Sequence, residues 1–193
     1  MVEPASEATA VVLPVEPKHP VAAMAGLIRS AGPGTYARLR RFDPGNDPQA
    51  ALFEIELLLQ AAQVAPRADA QHERWALLLH CLAIVRGAHV GRGSSAEPGA
   101  VLAKLRFSEA RLQQLVEADF LVLEDLMPRL ARRLGAAGVA VNWLPLADLI
   151  LYTDTDQEDK AQTARRRLVS HFLQGQRQAE TDTAQANSEQ AQT

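Results

Sequence analysis

The sequence contains little of what most enzymes, secreted proteins and membrane proteins depend on. It has one cysteine, Cys81, which excludes an internal disulfide, and only nine aromatic residues, which disfavours a platform for stacked bases. Its longest uncharged apolar run, Trp75–Val85, has 11 residues, against the roughly 18 of a membrane span. Residues 1–20 lack the basic start and apolar centre of a secretory signal. We therefore expect no membrane segment and a cytoplasmic protein.

Composition places the chain among globular proteins. With 193 residues, 47% of them hydrophobic and 22% charged, it is long enough to bury a core as one domain or two small lobes. The formal net charge of -3 is unevenly distributed, since residues 1–20 and 178–193 are acidic whereas residues 21–177 are mildly basic. Arginine supplies 17 of the 20 basic residues, and its planar guanidinium suits bidentate contacts with phosphate.

Both ends of the chain are predicted to be disordered tails. Residues 1–20 are rich in proline, and residues 178–193 are polar and acidic. Between them, residues 21–177 show helical rather than alternating periodicity, which predicts an all-α fold in the form of a helical bundle. The glycine- and serine-rich stretch near residues 90–99 is a candidate boundary between two helical lobes, although a single bundle also fits.

Caps and apolar ladders predict where the helices begin. A helix over residues 70–86 is expected to bury Trp75, and Pro128 is expected to kink or break a later helix. Gly32-Pro33-Gly34 is predicted to be a loop. Further helices are predicted to begin near Pro48, Ser108, Phe120, Asn142 and Asp159.

Each residue that could carry catalysis or hold a metal lacks the surroundings or the spacing that such a site requires. Cys81 and His80 lie in the most apolar stretch, and no paired-histidine spacing is present. The acidic run of residues 154–159 lacks both the glycine and the final glutamate of a calcium-binding loop. Gly91-Arg92-Gly93 lacks the ending of a phosphate-binding loop. We therefore predict no enzymatic activity, no metal site and no cofactor.

Arginines without a nearby acid are the remaining signal, because helix-surface ion pairs form at spacings of three or four residues. Arg129 has such a partner in Asp125, whereas Arg132 and Arg133 have none. Clusters of this kind could converge in a track that binds the backbone of a polyanion without reading its sequence, the alternative being ordinary solvated faces. Two further arginine clusters could contribute to such a track. One consists of Arg165, Arg166 and Arg167, and the other of Arg38, Arg40 and Arg41, for which Asp43 is the one nearby acid.

Five short segments carry a family resemblance: Gly34–Arg41 (Gly-x-x-Ala-x-Leu-Arg-Arg), Val101–Leu112 (Leu-Ala, then Ser-Glu-x-Arg), the arginine-rich Leu126–Leu134, Val141–Leu144 (Val-Asn-Trp) and the arginine-rich Ala164–Leu173. In this order they resemble the small, CasB-type subunit of the type I-E CRISPR surveillance complex, Cascade. The resemblance spans about residues 25–173. The chain departs from the family at Asn142, where aspartate is usual, at Thr153, where an aromatic residue is usual, and at Ser170-His171-Phe172, which replaces a tryptophan-containing ending.

The resemblance implies a non-enzymatic, all-helical subunit that is present in two copies and contacts the backbone and large subunits of Cascade. Such a subunit stabilises the guide RNA (crRNA) and target DNA, including the displaced strand, while base pairing with the guide reads the sequence. Of the contacts it implies, Arg40 or Arg41 could pair with Asp43 instead, and Arg106 with Glu109. The implied nucleic-acid contacts are Arg38, Arg40, Arg41, Lys104, Arg106, Arg111, Arg132, Arg133, Arg165, Arg166 and Arg167.

Two other functions compete with this one. A TetR-like transcription regulator has a similar size, and residues 31–36 faintly resemble the recognition turn of that family. The proline-rich residues before Pro20 and the proline at position 33 argue against a helix-turn-helix there. A purely structural helical adaptor would keep the fold and bind no nucleic acid.

Overall fold

The structure, a computed structural model, describes residues 19–44, 47, 49–91, 93 and 96–190, with side chains followed as far as residue 182. Within these residues the chain forms nine helices and no strand, which confirms the all-α prediction. The helices are α1 (Pro20–Ser30), α2 (Pro33–Arg41), α3 (Leu52–Ala61), α4 (Asp69–Ile84), α5 (Pro98–Lys104), α6 (Glu109–Glu117), α7 (Phe120–Ala136), α8 (Leu144–Tyr152) and α9 (Glu158–Gln190).

The central helix is α4, which packs against α1, α2, α7 and α8. Every residue from Ala76 to Ala83 is buried, so the apolar run identified in the sequence is a core helix, as predicted. Trp75 is only half-buried, so the prediction that it is buried holds in part: the side chain packs against the core but also lines a surface pocket beside Leu151. The largest fully buried side chain is that of Trp143.

On the other side of the molecule, α9 packs against α5 and α8. It buries Ala164, Leu168 and Phe172, as its apolar ladder predicts. Gly99 of α5 makes a close approach possible, since a Cβ there would lie 2.2 Å from the carbonyl oxygen of Leu168. The backbones of α5 and α9 are therefore in direct contact at this point.

Side-chain caps define the hairpin of α6 and α7. Ser108 Oγ accepts a hydrogen bond from the backbone N–H of Arg111 at 3.4 Å, which confirms the predicted cap of α6. Asp119 Oδ1 accepts one from the N–H of Val122 at 2.8 Å, and α7 begins one residue later. Only residues 118 and 119 join the two helices. The chain therefore turns sharply between them, and residues of both helices line one opening.

Two predicted interruptions are helical in the structure. Pro33 begins α2, and only Ala31 and Gly32 separate it from α1, because the fixed φ of proline suits the first turn of a helix. The predicted loop is therefore shorter than expected, since Gly32 lies in it but Pro33 and Gly34 belong to α2. Pro128 lies buried inside α7, which is unbroken from Phe120 to Ala136, so no break occurs.

The predicted boundaries near residues 48, 90–99 and 178 have different outcomes. Pro48 lies outside the described residues, and α3 begins at Leu52 with Ala51 at its N-cap position. The buried side chains before and after residues 90–99 form one connected core from Val21 to Phe172.

Residues 178–190, assigned to a disordered tail from sequence, continue α9, because they contain alanine and glutamine but no proline or glycine. Residues 1–18 and 191–193 lie outside the described residues.

An isolated parallel β-bridge ties the end of α4 to the segment after α7. It pairs His89 with Val141, and the N–H of Val90 donates to the carbonyl of Val141 at 3.2 Å. His89 Nδ1 also accepts a hydrogen bond from the N–H of Trp143 at 3.1 Å. The segments that follow α4 and α7 are thus fixed to each other.

Candidate nucleic-acid interface

Three arginines of α7 lie on the side of the helix that faces away from the core. Arg129 and Arg132 are exposed, whereas Arg133 is half-buried. Arg133 Nη2 donates to the carbonyl of Leu105 at 2.6 Å, and its guanidinium carbon lies 5.6 Å from the centre of the Phe107 ring. Arg132 and Arg133 are adjacent in the sequence. On a helix, adjacent side chains point in directions about 100° apart, so the two arginines contact different parts of the molecule.

On one side of α7 lies a groove of about 560 Å³, which we call the α2–α7 groove. Its charged lining consists of Arg40 from α2, Arg86 from the end of α4 and Arg132 from α7, with Tyr36 between them. Tyr36 and Arg86 also line an adjoining pocket of about 410 Å³ that includes Arg29. The two openings therefore share a wall, and four guanidiniums surround it.

The backbone at the end of α4 positions Arg86. This residue adopts a left-handed conformation with φ 55°, and Gly87 follows with φ 64°. A Cβ at Gly87 would lie 2.2 Å from the carbonyl oxygen of Ala25, so only glycine fits against α1 at this turn. The guanidinium carbon of Arg86 then lies 5.2 Å from the centre of the Tyr36 ring. The cation is held over the aromatic face.

The arginines at the α2–α7 groove and its adjoining pocket lack an acidic partner within ion-pair distance. The ion pairs among the described residues include none that involves Arg29, Arg40, Arg86 or Arg132. Burial lowers the pKa of the core residue His80, the charge of Arg132 lowers it further, and that of Asp43 opposes the shift. Unpaired guanidiniums gathered at one opening are suited to binding an anion.

On the other side of α7, the hairpin with α6 leaves a second opening of about 340 Å³, which we call the α6–α7 slot. Its floor is apolar and its rim carries three arginines and one glutamine. The floor and walls are formed by Phe107, Leu115, Leu126 and Leu130, and the rim by Arg111, Gln114, Arg129 and Arg133. Lys104 and Arg106 are exposed on either side of Leu105, whose carbonyl holds Arg133. Glu109, a potential partner of Arg106, accepts a hydrogen bond from Gln176 at 3.1 Å.

The arginines of α9 have a different environment. Arg165 forms an ion pair with Glu158, two turns earlier, and its side chain is only 13% exposed. Its Nη2 also donates to Thr153 Oγ1 at 3.0 Å and to the carbonyl of Ala118 at 3.2 Å. Burial alone would raise the pKa of Glu158, but its ion pair with Arg165 and its hydrogen bond from the N–H of Asp154 hold that pKa below its ordinary value. Arg165 therefore connects α9 to the turns that flank α7 and α8.

Two further predicted contacts also have acidic partners. Arg38 forms an ion pair with the buried Glu54 of α3. Arg167 Nη2 lies 4.0 Å from Oε1 of Glu97, which is buried and accepts a hydrogen bond from Asn142 Nδ2 at 3.1 Å. Arg41 and Arg166 are exposed, and Arg166 donates to Thr163 Oγ1 of its own helix.

The structure thus brings six of the eleven predicted residues to the two sides of α7: Arg40 and Arg132 at the groove, and Lys104, Arg106, Arg111 and Arg133 at or near the slot. Sequence reasoning missed Arg29 and Arg86. Arg86 ends the apolar run and stands alone in sequence, so it belongs to no cluster. The signal available was the following Gly87, which is typical of a helix end and which places the preceding side chain at the surface.

Other kinds of site find little support in the part of the chain that the structure describes. No group of three or more histidine, cysteine, aspartate or glutamate residues there could hold a metal ion. Cys81 is buried, and burial raises the pKa of its thiol. None of the described helices is long and apolar enough to cross a membrane.

Comparison with known proteins gives one match. The model of the family described as CRISPR-associated protein Cse2 matches residues 35–172, well over half of the chain. The matched region contains both the α2–α7 groove and the α6–α7 slot, apart from Arg29. No curated protein and no solved structure matches the chain.

Proposed function

The chain belongs to the CRISPR-associated Cse2 family, and on that premise we propose that it holds the nucleic-acid backbone of the type I-E complex, Cascade, against the basic surface around α7. Family membership makes it a Cascade subunit that associates with the other subunits. The ligands proposed are the guide RNA and the target DNA, including the displaced strand. A second copy of the chain within the complex and a cytoplasmic location are further parts of the proposal.

The unpaired guanidiniums of the α2–α7 groove are the observation that supports this function best. Arg40 of α2, Arg86 of the turn after α4 and Arg132 of α7 line one opening without an ion pair to a described acid. Phosphate contacts require positive charge in register with the backbone and supply most of the affinity of nonspecific binding. A surface of this kind needs no sequence readout when a guide RNA supplies it.

We assign different roles to the remaining predicted residues. Lys104, Arg106, Arg111 and Arg133 extend the basic surface to the slot side of α7. Arg41 and Arg166 are exposed and stay predicted contacts. Arg38, Arg165 and Arg167 are given a structural role in this proposal, since each has a carboxylate partner within the fold.

Neutral substitution of the groove tests the proposal in assembled Cascade. We expect Arg40→Gln, Arg86→Gln and Arg132→Gln each to weaken retention of target DNA, and the triple variant to weaken it most. The slope of log affinity against log salt should fall by about 0.7 to 0.9 for each phosphate that loses its arginine. The weakening should be similar for DNA of different sequences, because no base is read.

Arg67→Gln is the matched control, since it removes an exposed arginine that lines neither opening at α7. It should retain DNA as the wild type does, with an unchanged salt slope. If the triple variant enters Cascade and retains DNA equally well, the chain is a structural adaptor and the binding role is lost. Specific operator binding by the isolated chain would favour a transcription regulator instead.

A further inference from the structure

We propose that the α6–α7 slot takes one unstacked nucleobase of a single strand, with the flanking phosphates on its arginine rim. This inference rests on the proposed function, because it specifies the form of nucleic acid that the basic surface binds. Its volume of about 340 Å³ lies at the small end of the roughly 300–1,000 Å³ typical of ligand pockets. The slot is therefore sized for one small occupant rather than for a helix.

The lining of the slot determines what kind of occupant fits. Leu115, Leu126 and Leu130 give it an apolar floor, with Phe107 at one wall. A bare phosphate gains nothing from such a floor, because its contacts require charge and hydrogen-bond donors. A purely apolar side chain would cover the arginine rim without satisfying it, and burying an unpaired cation is costly. A nucleotide has both a flat, largely apolar body and an anionic flank.

The rim is held in place before any ligand binds. Arg133 is fixed by its hydrogen bond to Leu105 and by the Phe107 ring, and Arg129 Nη2 lies 3.3 Å from Asp125 Oδ2. Arg111 has no ion pair with a described acid. Preorganised donors bind with little loss of side-chain freedom. Of the three guanidiniums, that of Arg133 is held by the fold and can meet a phosphate without first being ordered, whereas Arg129 must exchange its exposed pair with Asp125 for the phosphate.

One buried donor of the rim is unsatisfied. Arg133 Nε is inaccessible to solvent and has no hydrogen-bond partner among the described residues. A buried donor left without an acceptor costs free energy, and native proteins satisfy the great majority of such groups. An occupant of the slot reaches this nitrogen only if the Arg133 side chain shifts, whereas the exposed amide of Gln114 can pair with a base edge directly.

This geometry distinguishes single strands from duplexes. In a duplex the bases are paired and stacked, so none of them can reach an apolar floor, whereas an unpaired base can be splayed out into a pocket. The α2–α7 groove also has apolar lining residues, among them Ile84, Leu134 and Val139, but the face of its Tyr36 ring is already taken by the guanidinium of Arg86. We therefore assign the base to the slot and phosphate contacts to both sides of α7.

The test fills the slot without altering any charge. Gln114→Trp places a large side chain at the rim, whereas Gln113→Trp adds the same side chain one residue away, where Gln113 is exposed and bonded to Glu117 outside the slot. Binding of the full chain is measured with two single-stranded DNA oligonucleotides of equal length, one of thymidines and one without bases. Both carry the same phosphates.

We expect the wild type and Gln113→Trp to bind the thymidine strand at least about fivefold more tightly than the strand without bases. Gln114→Trp should abolish this difference while binding the strand without bases as the wild type does. Equal wild-type affinity for the two strands would overturn the slot but leave the proposed function intact. Binding of neither strand would overturn both. Poor entry of Gln114→Trp into Cascade with unchanged strand binding would assign the slot to a partner subunit's side chain and overturn the proposal.

Discussion

The helices α7 and α9 both carry consecutive arginines, yet the structure uses them in opposite ways. Arg132 of α7 is exposed and has no ion pair with a described residue, whereas the Arg165 side chain of α9 is 13% exposed and bonds to Glu158 of its own helix and to two other segments. The side chains are chemically identical, so the difference comes from what each helix packs against. An arginine cluster indicates binding only where the fold leaves the guanidinium without an acid.

The largest effect that separates the two helices is expected from Arg165→Met. It leaves the carbonyl of Ala118 and the hydroxyl of Thr153 without their donor and removes the ion pair of Glu158. We expect the free energy of unfolding to fall by about 2–4 kcal/mol, less than for a fully buried pair because Glu158 remains partly hydrated. Urea denaturation measures this change.

Arg132→Met serves as the matched substitution on α7. Because this side chain is exposed, its removal should change the free energy of unfolding by less than about 0.5 kcal/mol. Equal free energies of unfolding for the two variants would contradict the structural role of Arg165, because its side chain would then behave as an exposed residue.

A smaller effect on stability is expected from alanine substitutions that compare the close contact of α5 and α9 with the open surface of α2. Gly99→Ala would push a methyl group against the carbonyl of Leu168 where α5 meets α9, and overpacking of this kind costs about 1–3 kcal/mol. Gly34→Ala lies in α2, on the groove side, where nothing lies within 4 Å of the added Cβ. Alanine there should stabilise the protein by about 0.5–1 kcal/mol. Thermal melting should therefore shift in opposite directions for the two variants.

The smallest expected effect is a difference in the pH at which each region loses stability. Burial lowers the pKa of His80, which hydrogen-bonds to the carbonyl of Leu39 beneath the groove. The unfolded chain then binds more protons than the folded one, so this contribution is present above about pH 6.5 and declines as the pH falls below it. The pKa of Glu158 on α9 is also lowered, so its contribution is lost only as the pH falls below about 4.5.

Unfolding measured between pH 3 and 8 distinguishes these two windows. His80→Gln should reduce the dependence below about pH 6.5 without abolishing it, because burial also lowers the pKa of His89. Arg165→Met should flatten the dependence in the acid window alone. A flat profile in both windows for the wild type would contradict the assignment.

Local signals predict much of the fold correctly. The cap at Ser108 and the apolar face of α9 require only neighbouring residues, and both are confirmed. Pro33 misleads because proline is typical of loops, although it starts helices equally well when the preceding chain is extended. The partial burial of Trp75 could not be predicted, since it depends on which distant segments cover α4.

The candidate site is predictable only in part, for a related reason. Spacings of three and four residues offer no acid to Arg165, whose partner Glu158 lies seven residues earlier. Arg38 pairs with Glu54 across two helices, a contact that no helical spacing encodes. Arg132, by contrast, is unpaired as its neighbours in sequence predict. Arg86 was missed because its place in the groove follows from the turn at Gly87.

The β-bridge between His89 and Val141 has a consequence for recognition. Val139, two residues before the bridge, lines the α2–α7 groove, and so does Ala88, which directly precedes it. The bridge thus fixes the distance between these two lining segments at one end of the groove. Because these segments are already held together, a nucleic-acid strand that binds in the groove does not have to order them, and little conformational entropy is lost there on association. We expect the groove to have the same shape in the free and the bound protein.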